Sequence, residues 1–143
     1  MPRDSESVDR EHLRLLSIFH YVLAGITGVG ALFPVIHLAV GIAILAGALP
    51  ETAGEDPPEF VGWLFVAFAG VFIVVGLAMA YALFVAGRKL GRIRGRTYCL
   101  VVAAISCVIV PLGTVLGVFT LVVLGRPSVQ DLFRESEYGT GAP

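Results

Sequence analysis

Over most of this chain, apolar residues do not alternate with polar ones at a helical period; they run on without interruption. No Asp, Glu, Lys or Arg lies between Leu15 and Pro50, between Phe60 and Gly87, or between Thr97 and Gly125. A soluble amphipathic helix carries a polar face opposite its apolar stripe, whereas about 20 predominantly apolar residues suffice to cross a bilayer. Each of the last two runs predicts one spanning helix. The first is longer: as a single helix its 36 residues would rise about 54 Å, against about 30 Å of hydrocarbon. Inside it, Gly28-Val29-Gly30-Ala31-Leu32-Phe33-Pro34 has the ingredients of a tight turn, since glycine permits positive φ and proline suits the first turn of a new helix. The pattern predicts a helical hairpin, about 13–29 and 34–49, followed by spans at about 60–86 and 97–124.

The remaining segments are polar. Residues 1–12 form an N-terminal tail, and Pro50 to Glu59, with four acids and two adjacent prolines, forms an exposed acidic loop. In the third span Trp63 and Tyr81 lie 18 residues apart, about 27 Å along a helix, which matches aromatic belts at two interfaces. In the fourth, Pro111 removes a backbone donor and predicts a kink near Val110, with Thr114 able to resatisfy freed groups. Beyond Gly125, Ser128 suits a helix cap, and Val129, Leu132 and Phe133 share one face. Ser128 to Arg134 is therefore predicted to lie on the membrane surface, followed by a disordered tail. The expected fold is an all-α membrane protein: a four-helix transmembrane bundle at 13–125 with a tight first hairpin, and a short C-terminal interfacial helix with its tail at 126–143.

Composition agrees, with 57% hydrophobic residues and a mean hydropathy of +0.87. The net charge of -1 conceals strong segregation. Four islands carry about -1, -4, +5 and -1 in chain order, and the only basic patch is Gly87 to Arg96, with Arg88, Lys89, Arg92, Arg94 and Arg96. Between two apolar runs, these five side chains are expected to meet lipid headgroups. They lack the extended face and interleaved aromatics of a nucleic-acid surface. Four crossings divide Lys and Arg five against five, so the positive-inside count is neutral and only charge density turns the basic loop to the cytoplasm. Three crossings, with the first run passing once, give eight against two. The N-terminus mixes acids with bases and has no positive n-region, so the first span is read as retained.

Candidate chemistry is sparse. Small residues recur at helical spacing at Ala24 and Gly28, at Ala39, Ala43 and Gly47, and at Gly113 and Gly117. In a membrane such stripes let backbones approach closely, against a helix of the same chain or of a second copy. Cys99 and Cys107, eight residues apart on one helix, are separated by about 12 Å of rise and cannot bridge each other. If the first hairpin turns at Gly28 to Val29, His20 and His37 reach similar depth and can share a proton or bind a metal or haem iron. Otherwise each neutral imidazole bonds a backbone carbonyl or Tyr21. Two histidines without a third ligand make an incomplete zinc site. No carboxylate pair, activated nucleophile or phosphate-binding glycine loop is present. The expectation is a non-enzymatic protein without a cofactor, which associates with itself, with lipid or with a larger membrane protein. The alternatives are an oligomeric pore or small transporter lined by Ser17, Tyr21, Thr114 or Thr120, and haem or metal binding through His20 and His37.

Two stretches, LRLLSIFHYV from Leu13 to Val22 and PLGTVLGVFTLVVLGRPSVQDLF from Pro111 to Phe133, resemble those of a group of small, uncharacterised bacterial integral membrane proteins. The resemblance covers most of the chain outside the tail. It implies a tetraspan fold in a bacterial membrane, the inner one, and carries over no catalytic or ligand-binding residue.

Overall fold

The computed structural model describes residues 2–48, 58–108 and 112–138. Among the described residues the chain is all-α. Six helices follow in order: α1 (Pro2–Leu32), α2 (Val35–Leu45), α3 (Glu59–Gly91), α4 (Arg96–Ser106), α5 (Leu112–Gly125) and α6 (Pro127–Tyr138). Two stretches are long and apolar enough to cross a membrane, Ser7–Leu45 and Glu59–Gly91. A third would arise only if Leu112–Gly125 and Pro127–Ser136, bent by 77°, were one span.

The tight first hairpin does not form. Gly28 and Gly30 stay within α1, and among the described residues the positive-φ glycines are Gly47 and Gly95. The Phe33 amide donates to the Gly30 carbonyl at 3.1 Å, and the Leu38 amide donates to the Pro34 carbonyl at 2.9 Å. Pro34, at φ -69°, removes one donor but fits helical geometry. Ser7–Leu45 therefore continues as one helical stretch of 39 residues. The second expected span, 34–49, is the end of the first.

The expected fourth span, 97–124, is divided instead. α4 and α5 pack antiparallel: Arg96 at the start of α4 reaches the carbonyl of Leu124 at the end of α5 at 3.1 Å, and Thr114 Oγ1 donates to the Cys107 carbonyl at 2.7 Å. Helices of 11 and 14 residues rise about 17 and 21 Å, short of the hydrocarbon thickness. The kink expected near Val110 lies outside the described residues.

The chain packs as two compact units, Ile26–Ala80 and the remainder. Within residues 26–80, the end of α1 and all of α2 run antiparallel to the first part of α3 through close backbone contacts. A Cβ added at Gly41 would lie 3.0 Å from the Gly62 carbonyl oxygen, one at Gly62 would lie 2.9 Å from Leu45 Cγ, and one at Gly76 would lie 2.6 Å from Ala31 Cβ. On α3 these contacts recur at a seven-residue spacing, at Gly62 and Gly76 with the buried Ala69 between them, the repeat that keeps one seam toward a partner helix. Opposite this seam, Val29, Phe33, Phe60, Phe68, Val71 and Val74 are exposed, the reverse of what water selects. Only 17% and 11% of the residues in the most apolar windows of the two long stretches are buried within the chain.

In the other unit, Leu13, Leu16 and His20 of α1 are buried, as are Leu83 and Leu90 of α3, Cys99 and Ala103 of α4, and Val123 and Leu124 of α5. Val129, Leu132 and Phe133 share a face of α6 as the sequence predicts, and all three are buried.

Candidate functional site

The basic segment begins where α3 ends. The Arg94 amide donates to the Lys89 carbonyl at 3.0 Å and the Ile93 amide to the Leu90 carbonyl at 3.1 Å, the paired bonds of a Schellman end. Such an end needs one left-handed residue, usually glycine. Here it is Ile93, at φ 52°, although β-branched residues rarely adopt that conformation. Gly95, at φ 67°, then turns the chain into α4.

This double turn folds the loop over Lys89. A Cβ at Gly95 would lie 3.1 Å from both Lys89 Cδ and Nζ, and the ammonium sits 4.4 Å from the centroid of the Tyr98 ring, within cation–π range. Arg88 in the last turn of α3 and Arg92 just past its end stand beside it, and Arg94 follows from the turn. Together with Tyr81, Val85 and Gly95 they line a cleft of about 480 Å³. Among the described residues no carboxylate lines it. Four of the five cations expected at headgroups thus share one cleft. Arg96 is turned away to the carbonyl of Leu124, where it offsets the unsatisfied acceptors and negative dipole end of α5.

Beneath the cleft, α1 and α3 approach closely. Ser17 Oγ donates to the Gly87 carbonyl at 2.7 Å. A Cβ at Gly87 would lie 3.1 Å from the Ser17 carbonyl oxygen, and one at Gly91 would lie 3.2 Å from Ser17 Oγ. Gly87 and Gly91 are a GxxxG pair inside the basic string, which a count of charges passes over. Gly41, Gly62 and Gly76 are likewise absent from the sequence-based list, although the seven-residue recurrence on α3 would have found two of them. Among the predicted seam residues, Ala24 is buried, and a Cβ at Gly28 would lie 3.6 Å from Ala80 Cβ. Ala39 is exposed, Ala43 half-buried, and Gly47 lies beyond α2 at φ 59°; Gly41 makes the close approach there. Gly113 and Gly117 are buried, and a Cβ at Gly117 would strike the Ala103 carbonyl oxygen and lie 2.6 Å from Cys107 Sγ. Gly117 thus packs on α4 of the same chain.

The histidines are not brought together. His20 is fully buried in one unit, with Nδ1 2.9 Å from the Leu16 carbonyl and Nε2 unpartnered. His37 lies in the other unit, between Phe33 and Phe65, with ring centroids 5.9 Å away on each side. The pairing required a reversal at Gly28 to Val29, and α1 continues through those residues. Among the described residues no three His, Cys, Asp or Glu side chains group to hold a metal. Cys99 and Cys107 are free thiols.

The polar tail contributes a contact that its composition does not reveal. Asp9 is 4% exposed, its carboxylate 3.6 Å from the Arg126 guanidinium at the elbow between α5 and α6. Ser136 of α6 donates to the Ile93 carbonyl. The α1 start, the α3 end, the α5–α6 elbow and α6 therefore meet around the basic segment.

No family model, no curated protein and no solved structure matches this chain.

Proposed function

We propose that this chain is a non-enzymatic multi-pass protein of a bacterial inner membrane. It crosses twice, through Ser7–Leu45 and through α3, with α4–α5 as a re-entrant hairpin and α6 at the surface. The observation that carries this reading is the inverted exposure of the two long helices, whose apolar side chains face outward while glycine and alanine fill their seam. This topology replaces the four-crossing bundle, which needs a reversal near Gly28 and a full fourth span.

Charge supports it independently. All ten Lys and Arg residues fall on the side of the N-terminus, the basic segment and α6, while the acidic loop stands alone on the other side. That asymmetry is stronger than in either topology weighed from the sequence, and it directs the basic side to the cytoplasm. The protein acts there, by association of its basic face with anionic lipid or with an acidic membrane partner. The small-residue seams are occupied by packing within the chain, so they support association between copies less well.

A pore draws less support. Ser17, Thr114 and Thr120 direct their hydroxyls to the carbonyls of Gly87, Cys107 and Leu116 in the same chain, leaving few polar groups to line a path. Two measurements test the proposal. Alkaline carbonate should leave the chain in the membrane pellet, and oriented proteoliposomes should pass no ions above the lipid background. Extraction by carbonate would sink the membrane assignment, and a steady flux would restore the pore.

A further inference from the structure

We infer that the cleft at the end of α3 is a discrete site for the phosphate of one anionic glycerophospholipid, rather than a patch of diffuse positive charge. The inference rests on the membrane reading above and adds a ligand class and a stoichiometry to it.

The order of residues at the end of α3 makes the case. Tyr81, Val85, Arg88 and Lys89 of α3, and Arg92 one residue past its end, line the same cleft at spacings of four, three, one and three residues, so they continue one helical face. Moving toward the membrane surface, that face changes from an aromatic ring and a valine to three cations within about three turns. A glycerophospholipid has the same order: acyl chain and glycerol below, phosphate above. A cleft of about 480 Å³ is of the size that holds small-molecule groups.

The cations are also arranged rather than merely adjacent. Lys89 is held between Gly95 and the Tyr98 ring, which lowers the entropy lost when its ammonium meets an anion. The left-handed Ile93 bends the chain so that Arg94 completes the rim, and strained backbone of this kind persists where the surrounding structure imposes it. With no acid among the described lining residues, the potentials of Arg88, Lys89 and Arg92 add. Arginines bind phosphate oxygens through paired N–H groups and lysine as a point charge. A net-neutral zwitterionic headgroup brings its own cation to this rim, which selects for anionic lipid.

The test uses the full chain purified in a nonionic detergent and titrated with phosphatidylglycerol or phosphatidylcholine, with bound lipid counted by native mass spectrometry. One phosphatidylglycerol per chain is expected, retained about tenfold or more over phosphatidylcholine. The double variant Arg88→Gln, Arg92→Gln should lose that preference. Arg14→Gln with Arg134→Gln removes the same charge from exposed positions outside the cleft and should keep it. Millimolar inorganic phosphate should leave the lipid bound; displacement by phosphate would instead identify a soluble phosphate as the ligand and overturn the lipid assignment. Equal loss in both double variants overturns the discrete site, and no headgroup preference in the unmodified chain overturns it without needing any variant to fold. A chain that stays dispersed without detergent refutes the membrane reading itself, a separate outcome.

Discussion

At the residue scale, glycine's role is decided by what stands opposite its missing side chain. A Cβ at Gly117 would meet a backbone carbonyl and a sulfur, whereas nothing lies within 4 Å of one at Gly30. Gly117→Ala should therefore force α4 and α5 apart at a cost of about 1–3 kcal/mol. Gly30→Ala, in a helix interior with open space, should add about 0.5–1 kcal/mol. Thermal melts of helicity in one detergent compare the two; a Gly117→Ala chain as stable as wild type would mean that the close contact at Gly117 does not limit stability. Gly95→Ala combines a left-handed backbone with crowding of Lys89. It should cost about 1–2 kcal/mol from conformation alone and should weaken lipid retention alongside the cleft variants. Retention equal to wild type would mean that the placement of Lys89 is immaterial.

At the element scale, the helices were legible and their directions were not. Three charge-free runs identify helical apolar segments, and the three apolar residues shared by one face of α6 mark its inner side. What the runs do not encode is whether the chain reverses inside them. Gly28, Gly30 and Pro34 are compatible with a turn, but they are equally compatible with a continuing helix, and packing of Ala31 against Gly76 and of Gly41 against Gly62 favours continuation. Between α4 and α5 the chain does fold back, which Arg96 and Thr114 secure by contacts distant in sequence. The basic cleft was half legible: its cations stand in one string, but the left-handed turn that gathers four of them and diverts Arg96 depends on Ile93, which no propensity would place there. The tail latch was not legible, since Asp9 looks like any other charge of a polar segment. Its partner Arg126 is about half exposed, so Asp9→Asn should cost less than about 1 kcal/mol globally. It should speed amide exchange over residues 2–12 while residues 13–25 stay protected. Unchanged exchange in the tail would mean that this ion pair does not hold it.

At the scale of the whole molecule, the two long helices and the folded-back pair make different predictions about sides. If Ser7–Leu45 crosses once, the N-terminus and residue 55 are separated by the membrane; if it is a hairpin, they share a side. If α4–α5 re-enters, the basic segment and the C-terminus lie together; if residues 97–124 cross, they part. Position-specific reporters at the N-terminus, residue 55, residue 92 and the C-terminus therefore distinguish all three topologies in one experiment. The expected outcome is a cytoplasmic signal at three positions and an external one at residue 55 alone. An external C-terminus would restore three crossings, and a residue 55 signal on the side of the N-terminus would restore four. The expected pattern also has an energetic basis: no cation needs to be carried across the bilayer during insertion, because the translocated acidic loop contains none. Adding two lysines to that loop, by Glu55→Lys and Asp56→Lys, should accordingly lower the fraction of chains with residue 55 outside, since positive charge resists translocation far more than negative charge does.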